Sequence, residues 1–207
     1  MTRYGMAIDT KRCSACNNCS ITCKVENNLP DGMWWSTART EGGDHRYVPG
    51  GTYPDNLYMT YYTMSCQHCD NPACVSVCPT TATYRRTEDG IVATDYAECI
   101  GCLLCVEACP YDVRVYLDAP PEFQLDFAVG DADVEPIPEL VATKCTFCVH
   151  RIDRGELPVC IEICQAQARC FGDFDDPGSD LSKLLASREH YQLLTEKGTS
   201  PNLYYLT

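Results

Sequence analysis

Residues 99–110 read CIGCLLCVEACP, which sets Cys99, Cys102, Cys105 and Cys109 on a CxxCxxCxxxC spacing closed by Pro110. A thiolate is a soft, charge-donating ligand, and tetrahedral sulfur coordination suits either zinc or an iron–sulfur cluster. Zinc sites ordinarily use two CxxC pairs across a long loop, one metal to four ligands. A tight run of three cysteines instead wraps three corners of a cubane cluster while the intervening amides turn toward its sulfides, and the fourth thiol, on the turn of helix that follows, cannot reach the same cluster.

In bacterial-type ferredoxins that fourth cysteine ligates the second cluster of a pair, so each run stitches two clusters together. The same need recurs along this chain. Placing MAIDTKRCSACNNCSITC over VATDYAECIGCLLCVEAC lays Cys13, Cys16, Cys19 and Cys23 on Cys99, Cys102, Cys105 and Cys109 at a constant offset of 86 residues. That offset also carries PACVSVCPTTA onto PVCIEICQAQA, laying Cys74 and Cys78 on Cys160 and Cys164. The two halves repeat each other. Only the CxxC pairs Cys66/Cys69 and Cys145/Cys148 break step, which a loop insertion explains.

Four groups of four thus account for 16 of the 17 cysteines and leave Cys170, between Arg169 and Phe171, as a small core residue of a strand. Two groups are less specific alone. Lys24 stands where the first would have its proline, and the fourth has an 11-residue loop and Gln165, so that by itself it also admits zinc. Disulfides fit poorly, because the count is odd and clusters require deprotonated, unoxidised thiols.

The remaining residues bound the setting. At 207 residues with 45% hydrophobic residues the chain is of globular composition, and 29 acidic against 16 basic residues give a net charge of −13, which repels a phosphate backbone and excludes nucleic acid as partner. No stretch approaches the ~20 apolar residues of a membrane span, and MTRYGMAIDTKRC has no apolar leader. The expectation is a chain soluble or peripheral at the cytoplasmic membrane, on an undetermined side. Tyr4–Asp9 and Ile91–Thr94 read as short strands, Asp89–Gly90 as a hairpin turn, and CVEAC, CVSVC and CIEIC as helical turns stopped by Pro110 and Pro79. LSKLLASREHYQLL reads as a surface helix.

Four ferredoxin-type groups in this order resemble the four-cluster iron–sulfur electron-transfer subunits of complex iron–sulfur molybdoenzymes of the dimethyl sulfoxide reductase and polysulfide reductase type, over Tyr4 to about Phe174 and again in the ending GTSPNLYYL. The resemblance implies an α+β fold of two bacterial-ferredoxin-like modules related by the internal repeat, with loop insertions. One module takes residues 1–24 plus 140–175 and the other 60–112, with insertions at 25–59 and 113–139 and a C-terminal helix and tail at 176–207. It implies four [4Fe–4S] clusters held by Cys13, Cys16, Cys19 and Cys164; by Cys145, Cys148, Cys160 and Cys23; by Cys66, Cys69, Cys74 and Cys109; and by Cys99, Cys102, Cys105 and Cys78. Spacing alone would also permit the first group to pair with the second. Some relatives replace the second cysteine of the third group and hold a three-iron cluster there, whereas this chain keeps Cys102.

By the same resemblance the chain is an electron-transfer subunit of anaerobic respiration, non-catalytic alone. It would link a molybdenum or tungsten bis-pterin catalytic subunit to a donor such as a quinol-oxidising membrane anchor. The other candidate is a free-standing soluble polyferredoxin. A wide apolar docking face would favour the subunit and a small charged face the shuttle. His45, His68, His150 and His190 are scattered and no glycine-rich dinucleotide fingerprint is present, so no residue set suggests bond-making chemistry. Lys11, Arg12, Lys24, Lys144 and Arg169 stand beside cysteines and are candidates to raise cluster potentials. Trp34 and Trp35 either dock a partner or cap the local core.

Overall fold

In the computed structural model, residues 2–41 and 48–207 are described; His45 lies outside them. Along the chain run β1 (Tyr4–Asp9), α1 (Asn18–Glu26), β2 (Ser36–Thr40), β3 (Tyr61–Ser65), α2 (Ala73–Ser76), β4 (Thr83–Arg85), β5 (Val92–Thr94), α3 (Leu104–Glu107), β6 (Val115–Leu117), β7 (Val141–Thr143), α4 (Val149–Ile152), α5 (Val159–Glu162), β8 (Arg169–Asp173), α6 (Asp180–Ser187), β9 (His190–Tyr191) and β10 (Leu203–Leu206). This is a small mixed α/β chain. Most of its helices are single turns, because the cysteine loops before them and the proline or turn after them leave no room for more.

The central sheet has the order β8-β1-β10-β9. β1 reads as an unbroken apolar run because both of its faces are covered. On one side Met6 and Ile8 pack with Phe147, Phe171, Leu203 and Tyr205, and on the other Ala7 packs with Leu181 and Leu206. β8 pairs antiparallel with β1, Ile8 opposite Arg169, and β4 pairs antiparallel with β5, Thr94 opposite Thr83. The expected turn at Asp89–Gly90 joins the latter two, with Gly90 at φ +76° and the Ile91 amide donating to Asp89 Oδ1 at 3.0 Å. Cys170 lies in β8, opposite Ala7.

Two stretches differ from the sequence expectation. The ending is no loose tail: β10 lies parallel to β1 as the second central strand, Met6 opposite Leu203 and Asp9 opposite Leu206. Four apolar or aromatic residues are too short a signal to reveal a pairing with the other end of the chain. The surface helix over LSKLLASREHYQLL stops at Ser187, because Arg188 turns extended (φ −132°, ψ 145°) and its guanidinium binds the Asp9 carboxylate and the Thr207 carbonyl. Leu181 of that helix is fully buried.

The two tryptophans differ in burial. Trp35 is buried with Cys23, Leu29 and Met33, whereas Trp34 is 40% exposed, with the Lys24 ammonium 5.2 Å from its ring centre. The insertion after β6 leaves Phe123, Leu125, Phe127 and Val129 in solvent. No helix among the described residues is long and apolar enough to cross a membrane.

Tyr205 shows what β10 contributes. It is fully buried, donates its hydroxyl to the Thr63 carbonyl at 3.2 Å, and stands edge-on to Tyr62. Tyr205→Ala is expected to lower stability by about 3–5 kcal/mol, the usual loss for a buried aromatic. The midpoint of anaerobic guanidinium unfolding measures it.

Candidate metal centres

None of the 17 cysteines is joined in a disulfide, and the fold gathers them from distant groups. One cavity is lined by Cys66, Cys69 and Cys74 of the second group together with Cys109 of the third. A second is lined by Cys13, Cys16 and Cys19 of the first with Cys164 of the fourth. Elsewhere Cys23 lies near Cys145, Cys148 and Cys160, and Cys105 lies near Cys74, Cys99 and Cys78. The packing of α1 on α5 and of α2 on α3 produces these meetings.

The loops are shaped alike. In each CxxC the residue before the second cysteine is left-handed: Ala15 (φ 53°), His68 (φ 43°), Gly101 (φ 65°) and Phe147 (φ 57°). Only glycine takes this conformation without strain, so its appearance with alanine, histidine and phenylalanine marks a built constraint. Turning the chain there points successive amides inward, as in backbone nests that bind anions. The Phe147 amide donates to Cys145 Sγ at 3.4 Å, and the amides of Ala15 and His68 do the same for Cys13 and Cys66. The fourth cysteines receive amides too, Cys164 from Ala168 at 3.2 Å and Cys78 from Thr83 at 3.4 Å. At Gly101 a side chain is also excluded by space, since a Cβ would meet the Leu140 carbonyl at 2.5 Å.

Burial pushes the Cys23 thiol well above its ordinary value, and Cys145, Cys148 and Cys160 push it further. Burial likewise raises Cys69 to about 12 and Cys148 to about 12. Thiols so placed stay protonated and inert unless a metal takes the proton's place. The surrounding cations point the same way. Arg114 is buried and lines the Cys66 cavity, with Nη2 donating to Thr83 Oγ1 at 3.0 Å, while its Nε and Nη1 are buried without an acceptor among the described residues. Gathered thiols, inward amides and an unsatisfied buried guanidinium fit an anionic, thiolate-held centre such as an iron–sulfur cluster.

Of the five cations singled out by sequence, Lys144 and Arg169 are buried against thiols. Lys11 and Arg12 are exposed, and Lys24 donates to the carbonyls of Leu29 and Pro30. Arg114 carries no local signal, since its partners Thr83 and Thr94 lie on another hairpin. His68 is buried, stacked on Phe147 at 3.7 Å, and accepts the Val92 amide at Nδ1, and His150 is bound to Glu26.

Comparison with known proteins gives a family match and close relatives. Residues 57–123 and 138–174 match the 4Fe–4S dicluster domain. The provisionally named dimethyl sulfoxide reductase iron–sulfur subunit of Halobacterium salinarum is 49% identical over 211 residues, covering 100% of this chain and 79% of that protein. The arsenate respiratory reductase iron–sulfur subunit of a Shewanella species is 37% identical over 99% of this chain and 96% of its own length. A polysulfide reductase chain of Wolinella succinogenes is 37% identical over 98% and 93%.

Proposed function

From the premise that this protein belongs to the four-cluster iron–sulfur subunits of the dimethyl sulfoxide and polysulfide reductase type, we propose how its cysteines divide among the clusters and how electrons pass between them. It is an electron-transfer subunit carrying four [4Fe–4S] clusters. The clusters, when bound, supply one-electron storage over a potential range set by hydrogen bonds to sulfur, burial and nearby charge.

The first set is Cys13, Cys16, Cys19 and Cys164; the second Cys145, Cys148, Cys160 and Cys23; the third Cys66, Cys69, Cys74 and Cys109; the fourth Cys99, Cys102, Cys105 and Cys78. The observation that carries this division is the meeting of thiols from different groups, Cys164 with Cys13 and Cys109 with Cys66, around single cavities. Two ferredoxin-like modules follow. The repeat maps Ile8 to Thr94 and Thr83 to Arg169, and both pairs are in register across their strands, which supports the relation.

The sets form a line. Cys19 of the first faces Cys160 of the second, Cys145 of the second faces Cys66 of the third, and Cys74 of the third faces Cys105 of the fourth. Only Cys16 and Cys102, one in each terminal set, are exposed. Electrons therefore enter and leave at the two ends. The relatives named for dimethyl sulfoxide, arsenate and polysulfide reductases suggest a molybdenum or tungsten pterin subunit at one end and a quinol-linked membrane subunit at the other. Beside Cys102 the exposed Ile100, Leu103, Leu104 and Leu140 favour a fixed partner over a free polyferredoxin.

Anaerobic purification of the native assembly is expected to give about 16 to 20 iron atoms with about one molybdenum or tungsten per copy of the chain, any iron beyond 16 belonging to the partner. About 16 irons with neither metal would return the chain to the free carrier, and zinc in place of iron would exclude both.

A further inference from the structure

Three cations are nearly withdrawn from water in this acidic chain: Arg169 is 8% exposed, Arg114 5% and Lys144 2%. None of them pairs with a carboxylate among the described residues, although the surface arginines do so freely. A buried charge without a counter-charge is strongly unfavourable, so each must be balanced by something other than a carboxylate. What the three share is nearness to cysteine thiols.

Their positions follow the line of thiol sets. Arg169 Nη1 donates to Cys160 Sγ at 3.4 Å, and the same guanidinium faces Cys19, Cys13 and Cys164, so it stands between the first and second sets. The Lys144 ammonium donates to the Cys145 carbonyl at 3.1 Å, lines the Cys66 cavity, and stands between the second and third. Arg114 lines the cavity of Cys74, Cys66 and Cys109 and is also near Cys105, which puts it beside both the third and fourth sets. Every gap in the line holds one cation.

The repeat sharpens this. Thr83 occupies the place in the second module that Arg169 occupies in the first, and Thr94 the place of Ile8. Arg114, entering from outside that hairpin, donates to both threonines, at 3.0 and 3.2 Å. Two unrelated chain positions thus deliver a guanidinium to the same site.

We infer that Arg169, Lys144 and Arg114 are the positioning residues that set the potentials of the relay, each holding a fixed positive charge in one gap so that both adjoining clusters accept an electron more readily. The inference rests on the division of cysteines proposed above. Each oxidised cluster with four thiolates carries about −2 and becomes about −3 on reduction. A cation in a gap opposes that added charge on both sides at once and does so in a low-dielectric interior, where its field is little screened. A guanidinium also keeps its proton under all working conditions, so its effect is constant with pH.

EPR-monitored redox titration of the cluster-loaded full chain tests this with Arg114→Gln, Arg114→Lys and Thr94→Asp. The last leaves Arg114 in place and sets a carboxylate beside its Nη2. Arg114→Gln and Thr94→Asp are each expected to shift the reduction equilibria of the third and fourth clusters at least tenfold toward the oxidised form, about 59 mV for a one-electron couple. The first two clusters should move less than about twofold by the same measure, and Arg114→Lys should hold all four near the parent. Potentials of the third and fourth clusters that stay within about twofold of the parent in either charge-cancelling variant, with four clusters assembled, would overturn the inference. Should Arg114→Gln lose iron, Thr94→Asp decides alone. An unsubstituted chain holding fewer than four clusters would instead overturn the relay itself.

Discussion

Cys145→Ala is expected to leave about 12 iron atoms per chain in place of about 16 and to stop electron flow through it. The residue is half-buried, close to Cys160 and Cys148 of its proposed set and to Cys66 of the next, so in the proposed division it stands where the two modules meet. With it gone, Cys23 and Cys148, whose thiols burial holds well above the ordinary range, revert to protonated side chains with no reason to bind iron. In the proposed line the second cluster has a neighbour on each side, so an electron crossing from end to end passes through it. Transfer between the two ends should fall by more than about 100-fold, the upper end of the cost of losing even an outer-shell partner of a metal ligand. Cys170→Ala is the matching control. It lies in β8 outside all four sets and should keep about 16 irons and the parent rate. Iron analysis and single-turnover transfer between a reductant and an acceptor supply both readouts. Parent-like iron in Cys145→Ala would remove it from the ligands.

The cysteine groups were legible in sequence because cluster loops are local: three thiols and the amides between them come from one short run, and spacing alone encodes the shape. Which group shares a cavity with which was not encoded in the spacing and was implied by the family resemblance alone. Cys109 and Cys164 lie two residues beyond the single-turn helices α3 and α5, whose neighbours are chosen by tertiary packing. The two-stranded β4–β5 hairpin could be read from Asp89–Gly90, whereas β10 could not, since a parallel pairing across nearly the whole chain leaves no local trace. Charge beside a cysteine was an imperfect guide as well. Lys24 follows Cys23 directly yet spends its ammonium on loop carbonyls, while Arg114, four residues beyond Pro110, reaches the thiols by crossing to another hairpin. Adjacency along the chain does not fix where a long side chain ends.

Ile100→Glu combined with Leu104→Glu is expected to disconnect one end of the relay while leaving its interior whole. Cys102 is exposed, and its rim is apolar, with Ile100 65% exposed, Leu140 52% and Leu104 44%. That rim is held in shape by Gly101, which no other residue could replace against the Leu140 carbonyl. Water against so many aliphatic carbons is unfavourable, and a partner seated there would remove it at the point where an electron must leave. Two carboxylates would then have to be desolvated against that partner, weakening association by about 2 kcal/mol or more, roughly 30-fold in Kd. Iron should stay at about 16 and all four clusters should still be reduced by a small soluble reductant. The opposite end provides the comparison. Ile21 and Val25, 52% and 46% exposed on α1 of the first group, present a second apolar edge, and Ile21→Glu with Val25→Glu should impair exchange with the other partner alone. If each pair of substitutions silences one partner and spares the other, the chain is a two-ended subunit. If both pairs behave like the parent, these apolar edges serve no fixed partner and the free carrier becomes the better account.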